Sequence, residues 1–335
     1  VHTHLSYPTF EAAYLENLLA ARDAPEFVNA PRGFHSREIL GVSYRIANPR
    51  ERIVRIPERK LNLVFNFAES LWYLSGSNAL DFIAFYAPSM KKYSADGQRL
   101  AGTAYGPRLF GFGGAGINQW DSVARTLRQD ADSKRAVMQI FAPEELLVPG
   151  NIDVACTLGL QYMIREGALH AVSFMRANDA YRGTVSDVFS FTFLQEVLAT
   201  QLGLDLGSYT HTVGSYHLYR HDDTVADKVL AARTEQVSAE PFPAMPAQDN
   251  WPAIREVLAL EEALRKRRLT LDATAADGLG LGRYWTDVVI LFALHARWRH
   301  EGTVDRDLLD VLHPLFARLV ENRWGIHRSL TSPAR

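Results

Sequence analysis

Apolar positions recur at helical spacing near the start of the chain. Tyr14, Leu15, Leu18 and Leu19 share one face of residues 10–22, which predicts an amphipathic helix. Residues 23–36, with Pro25, Pro31 and Gly33, read as a loop. Alternation then replaces the helical period, and residues 42–46 and 53–56 read as strands. Residues 61–75 predict a buried helix whose one acid is Glu69, and residues 78–92 a second helix. A glycine-rich stretch (97–116), a polar helix (118–130) and a strand (137–140) follow. Two further strands are predicted at 153–165 and 168–176, then a long apolar helix at 185–203 and a strand at 208–219. Strands and helices mix without regular βαβ alternation, which predicts an α+β fold. Residues 236–250 hold Pro241, Pro243 and Pro246 and read as a linker to three helices, 251–268, 283–300 and 306–323.

Composition narrows the partners. The 335 residues are 47% hydrophobic and 22% charged, enough for a large core in one or two domains. The net charge of -2 creates no global basic field, so no nucleic-acid partner is expected and phosphate binding would be local. Cys156 is the single cysteine, so no intramolecular disulfide and no cysteine-based zinc site can form. The first ten residues lack a secretory pattern and no apolar run is long enough for a bilayer. A cytoplasmic protein without membrane contact is expected.

Three signals carry little chemistry. Residues 111–116 match G-x-G-x-x-G, but no strand leads into the motif and no helix opens at it, so a flexible loop is the better reading. His295 and His300 lack a carboxylate to complete a metal site, and no metal is expected. Arg265-Lys266-Arg267-Arg268 suits a solvated helix C-terminus.

Cys156 is different because of its neighbours. A lone cysteine in a strand is commonly a small buried hydrophobe. If 153–165 and 168–176 form a hairpin, however, Arg176 lies near Cys156. A guanidinium there would favour the reactive thiolate or grip a phosphate in bidentate fashion. Asp179 reads as a turn acid and Asp187 as a first-turn acid of the apolar helix. His217 and Tyr219, two apart at a strand end, face one side.

These motifs in this order resemble the thymidylate synthase and pyrimidine hydroxymethylase family. They run Glu69-Ser70-Leu71-Trp72-Tyr73-Leu74-Ser75-Gly76, Tyr105-Gly106, Asp132-Ser133-Lys134-Arg135, Cys156, Arg176-Ala177-Asn178-Asp179, Gly183 and His217-Leu218-Tyr219. The resemblance spans residues 36–220. It implies a thymidylate-synthase-like fold with a large kinked β-sheet and flanking helices, here with a mostly helical C-terminal extension. The catalytic core would be 1–235, with 236–335 packed on it. It implies a homodimer acting on a pyrimidine nucleotide, with 5,10-methylenetetrahydrofolate as co-substrate. By resemblance, Cys156 is the nucleophile, Glu69 organises water and proton transfer, and Tyr105 lies near the sulfur. Arg37, Arg176 and Ala177 belong to the phosphate site, which Lys134 and Arg135 enter from the other subunit. Asp187 and Gln161 face the base, His217 and Tyr219 the sugar, Asp179 and Trp72 the folate.

Departures from the family pattern narrow the substrate. Synthases carry asparagine where this chain has Asp187. An amide suits the N3–H and O4 of uracil, whereas a carboxyl can accept from cytosine N4 and, when protonated, donate to N3. Ala177 replaces a serine and Lys134 an arginine, which loosens the phosphate clamp and leaves room for a ribose 2′-hydroxyl. The expected reaction is therefore C5 hydroxymethylation of CMP, as in the cytidylate branch of the family that serves nucleoside-antibiotic biosynthesis. Hydroxymethylation of dCMP, synthase-type methylation of dUMP, and a nucleotide-binding homologue without activity are the alternatives.

Overall fold

A computed structural model describes residues 5–234 and 240–326. The architecture is α+β. Seven strands among the described residues build one mixed sheet: β1 (Leu5–Tyr7), β2 (Phe27–Asn29), β3 (Ser36–Ile46), β4 (Val137–Gln139), β5 (Thr157–Arg165), β6 (Ala168–Asp179) and β7 (Asp205–Tyr219). Their order is β1-β3-β7-β6-β5-β4, with β2 also on β3. β5 and β6 form the anticipated hairpin. Its two-residue turn has φ of 53° at Glu166 and 77° at Gly167, the left-handed pair that matches strand twist. β6 and β7 run parallel, so a crossover must join them, and α6 (Gly183–Leu202) supplies it. Register shifts at Thr157/Gly159 and Leu169/Ala171 bend the sheet.

The other helices are α1 (Phe10–Asp23), α2 (Leu63–Leu74), α3 (Leu80–Tyr86), α4 (Gly106–Gly111), α5 (Gln119–Gln129), α7 (Asp223–Ala231), α8 (Trp251–Arg265), α9 (Ala273–Asp277), α10 (Arg283–Glu301), α11 (Arg306–Val311) and α12 (Pro314–Trp324). Helix α6 is buried nearly all round, as its uniform apolarity requires. It covers the sheet face formed by Leu169, Ala171, Ser173 and Met175. Its Gln195 amide donates to the carbonyls of Leu169 (2.8 Å) and Gly207 (3.1 Å). Phe67 of α2 joins the C-terminal helices to this layer, its ring 5.1 Å from Phe189, 5.9 Å from Phe193 and 5.7 Å from Phe316. The opposite sheet face leaves Val137, Leu158 and Phe174 exposed.

Several elements differ from the sequence reading. Residues 53–56 are not a strand, because the Glu11 carboxylate takes the backbone N–H groups of Arg55 and Ile56. The helix expected over 78–92 stops at Tyr86, and Pro88 opens a 3-10 turn in its place. The one expected over 306–323 divides before Pro314, which begins α12. Residues 23–36 contain β2. The described part of 236–250 is no free linker: Phe242 is buried, its N–H donates to Glu51 (3.0 Å), and the Met245 N–H donates to Glu196 (3.2 Å). The glycine-rich motif is a loop, closed by paired backbone bonds between Phe112 and Ile117. Among the described residues, no helix is long and apolar enough to cross a membrane.

Candidate active site

Strand β5 begins at Thr157, so Cys156 precedes the ladder instead of lying within it. Its carbonyl still accepts the Arg176 N–H of β6 (2.8 Å), and side chains hold the segment before it. The buried Asp153 carboxylate accepts the N–H groups of Ala101 (2.6 Å), Gly102 (3.1 Å) and Thr103 (2.8 Å). A methyl group on Gly102 would fall 2.0 Å from the Asp153 carbonyl oxygen, so only glycine permits this approach. The Ala155 N–H donates to Glu145 at 2.7 Å. Arg176 donates through Nε to the Ala155 carbonyl and through Nη2 to that of Val154, both at 2.9 Å, and Nη2 lies 3.5 Å from Cys156 Sγ. Burial pushes the Cys156 thiol up, the Arg176 charge pulls it down, and the balance is upward. The arginine expected beside the sulfur is there, but desolvation outweighs it.

Two carboxyls stand with the sulfur. Glu69 of α2 is buried and pushed up to about 8, by desolvation first and the Asp187 charge second. Ser190 of α6 donates to it at 3.3 Å. Asp187, half-buried on α6, is pushed up to about 7 by desolvation, against the Asn178 amide, which donates to Oδ2 at 2.7 Å. The charge of Asp187 reaches Glu69, Tyr105 and Cys156 alike, so the four share one electrostatic field. Tyr105 accepts from Thr157 Oγ1 (3.0 Å) and stacks on Tyr73 at 4.8 Å.

The remaining expected residues divide. His217 and Tyr219 share a face of β7, their rings 4.9 Å apart, and Asp179 pairs with His217 across β6 and β7. Asp179 Oδ1 accepts the N–H groups of Tyr181 and Arg182, each at 2.8 Å. Ala177 follows Arg176 on β6, and Lys134 and Arg135 are exposed. Three of the expected residues are placed away from the sulfur and its carboxyls. Arg37 is engaged by Asp223, whereas Arg32 bonds Tyr219 and adds its charge to the Cys156 field. Gln161 alternates onto the open sheet face, away from α6, where its amide donates to the Lys134 carbonyl (2.9 Å). Trp72 is fully buried and presents no surface to a ligand.

Sequence reasoning missed two groups. Arg32 sits in a turn at φ 53°, and its only signal was a position beside a glycine in a proline-containing loop. His211 has no motif at all; its neighbours come from separate strands.

Residues 16–256 match the family described as Thymidylate synthase, and the chain belongs to that family. It is similar to three phage proteins named deoxyuridylate hydroxymethyltransferase. The identity is 34% over 210 residues with the Delftia phage PhiW-14 protein, covering 59% of this chain and 57% of the relative. It is 32% over 205 residues with the Bacillus phage SP01 protein (58% and 53%), and 28% over 211 residues with the Pseudomonas phage M6 protein (61% and 57%). The chain thus spans little more than half the length of these relatives.

Proposed function

We propose that this chain transfers a one-carbon unit from 5,10-methylenetetrahydrofolate to C5 of CMP, with addition of water, giving 5-hydroxymethyl-CMP and tetrahydrofolate. The observation that carries the reading is Asp187: a carboxyl titrating near neutrality in the same field as a cysteine. Such a group can accept from cytosine N4 and donate to N3, which an ionised acid cannot do.

The Cys156 sulfur adds to C6 of the ring and makes C5 nucleophilic. C5 attacks the folate methylene. Loss of the C5 proton and of tetrahydrofolate leaves an exocyclic methylene, water adds to it, and the sulfur leaves. Glu69, its carboxyl pushed up to about 8 chiefly by burial, would handle the protons of these steps. Arg176 and Arg32 would hold the phosphate, with Lys134 and Arg135 of a second copy. His217 and Tyr219 would take the sugar, and Asp179 the folate. The exposed apolar sheet face supports a homodimer, formed by two such faces packing together. We assign catalysis to a core of residues 1–235 and a helical extension to 236–335, whose described residues, 240–326, share the same hydrophobic interior.

A second reading, hydroxymethylation of a uridylate, is favoured by what the phage relatives are named. One experiment separates the two. CMP, dCMP, UMP and dUMP are offered with methylenetetrahydrofolate and the products weighed. Hydroxymethylated cytidylate without dihydrofolate is expected, with turnover lost in Cys156→Ser; conversion of uridylates alone overturns the cytosine assignment.

A further inference from the structure

Behind Asp187 lies a buried chain of polar side chains that none of the assigned roles uses. Asn178 is 3% exposed, and Thr184, Ser173, Tyr209 and His211 are all at 0%. Asn178 Nδ2 donates to Asp187 Oδ2 at 2.7 Å. Its Oδ1 accepts from Thr184 Oγ1 at 2.8 Å and lies 2.9 Å from His211 Nε2. On the far side of the imidazole, Nδ1 lies 2.8 Å from the Tyr209 hydroxyl and 3.0 Å from that of Ser173, which are themselves 2.7 Å apart.

These contacts fix the proton positions. His211 is fully buried, and with no carboxylate in contact burial holds it neutral, so one ring nitrogen donates and the other accepts. With Asn178 Oδ1 toward Nε2, the proton is on Nε2 and Nδ1 accepts from a hydroxyl. An amide rotated by half a turn would set its NH2 against that N–H and its oxygen against Asp187. The carboxyl would then have to donate toward Asn178.

We propose that His211 is a positioning residue for base recognition, acting through Asn178. By donating Nε2–H to the amide oxygen, it keeps the amide NH2 on Asp187 Oδ2. That oxygen remains an acceptor, and the carboxyl proton is left to Oδ1. Oδ2 then faces cytosine N4–H and Oδ1 faces N3. This rests on the cytosine reading above, and it adds which oxygen meets which edge atom and what enforces the order.

The test contrasts two substitutions. A glutamine can place its amide N–H where Nε2–H lies, whereas the shorter asparagine reaches only the Nδ1 position. His211→Gln is expected to keep kcat/KM for cytidylate within about threefold of the parent chain. His211→Asn is expected to lose about tenfold or more, mainly through KM, as one buried hydrogen bond left unmade implies. Equal losses in both variants, or none in either, would overturn the proposal and reduce His211 to packing. Should His211→Asn fail to fold, nitrogen NMR of the unsubstituted chain reads the tautomer directly. Protonated Nε2 supports the proposal and protonated Nδ1 overturns it. Turnover of uridylate alone by the parent chain would instead remove the cytosine reading, and the assigned order of oxygens with it.

Discussion

Arg176 Nη2 lies 3.5 Å from Cys156 Sγ, and the same guanidinium bonds the carbonyls of Val154 and Ala155. It therefore fixes the Cys156 segment and biases the charge of the thiol at once. The bias is insufficient in the free chain, because burial outweighs it.

Alkylation should expose that balance. Iodoacetamide reacts with the thiolate, and Cys156 is the only thiol. The pH–rate profile, followed by intact mass, is expected to have its midpoint above the ordinary value of 9.0. Arg176→Leu removes the larger of the two charges that lower it, so the midpoint should rise further. A midpoint in the parent chain below the ordinary value contradicts this balance.

Asp187→Asn has two expected effects. The amide suits uracil, so the ratio of kcat/KM for uridylate over cytidylate should rise at least about tenfold, the value of one exchanged hydrogen-bond pair. Stability should respond as well. Asp187 moves from 3.8 to about 7 on folding, so the folded chain holds more protons than the unfolded one between those values. Stability therefore falls as pH rises through that window. The substitution removes the penalty: the variant should gain Tm over the parent chain as pH rises from 4 to 8, by about 1–2 °C per kcal/mol. A difference independent of pH would mean that the carboxyl is not desolvated.

How much of this was readable beforehand depended on whether chemistry was written locally. The α+β class, the β5–β6 hairpin and the pairing of Cys156 with Arg176 follow from alternation and a short Glu166-Gly167 turn, both properties of neighbouring residues. Asp187 and Glu69 stood in recognisable motifs. The differences share another cause. Residues 53–56 alternate like a strand, but a glutamate 40-odd positions earlier takes their N–H groups. Arg37 sits where a phosphate-binding arginine was expected, yet Asp223, brought in by α7, neutralises it. Gln161 reaches the open sheet face, which the register of β5 decides and its own identity does not. The His211 network joins two strands and a helix, and nothing local announces it.

Glu196 tests how the C-terminal extension is tied down. Its carboxylate meets the fully buried Arg52, with Arg50 at 3.0 Å and the Met245 N–H at 3.2 Å. Arg52 also lies 5.6 Å from the Phe242 ring centroid. Glu196→Leu leaves a buried guanidinium uncompensated and should cost about 3–5 kcal/mol in chemical denaturation. Adding Arg52→Met should recover most of that loss. A double variant as unstable as the single one would show that shape, not charge, is the constraint.

The sugar preference should respond to the phosphate clamp. Lys134→Arg together with Ala177→Ser supplies a planar fork and a hydroxyl, tightening the grip on phosphate. The ratio of kcat/KM for dCMP over CMP is expected to rise severalfold, chiefly through a higher KM for CMP. An unchanged ratio would separate these two positions from ribose recognition.

The proposal that Lys134 and Arg135 reach the phosphate site of a second copy is testable without knowing the substrate's sugar. The faces proposed to meet carry Val137 at 48%, Leu158 at 42% and Phe174 at 39% exposure, a burden for a monomer in water. Phe174→Asp should place a charge in that interface, shift the chain to a monomer in sedimentation, and abolish turnover although Cys156 is untouched. The second arm mixes two inactive chains, one with Cys156→Ser and one with Lys134→Ala and Arg135→Ala. If each site borrows its basic pair across a twofold axis, half of the randomly reassorted dimers are mixed, and each mixed dimer holds one complete site. About one quarter of parental activity should then return. Were the basic pair to serve its own chain's site, mixing would restore nothing, and the exposed sheet face would need another explanation.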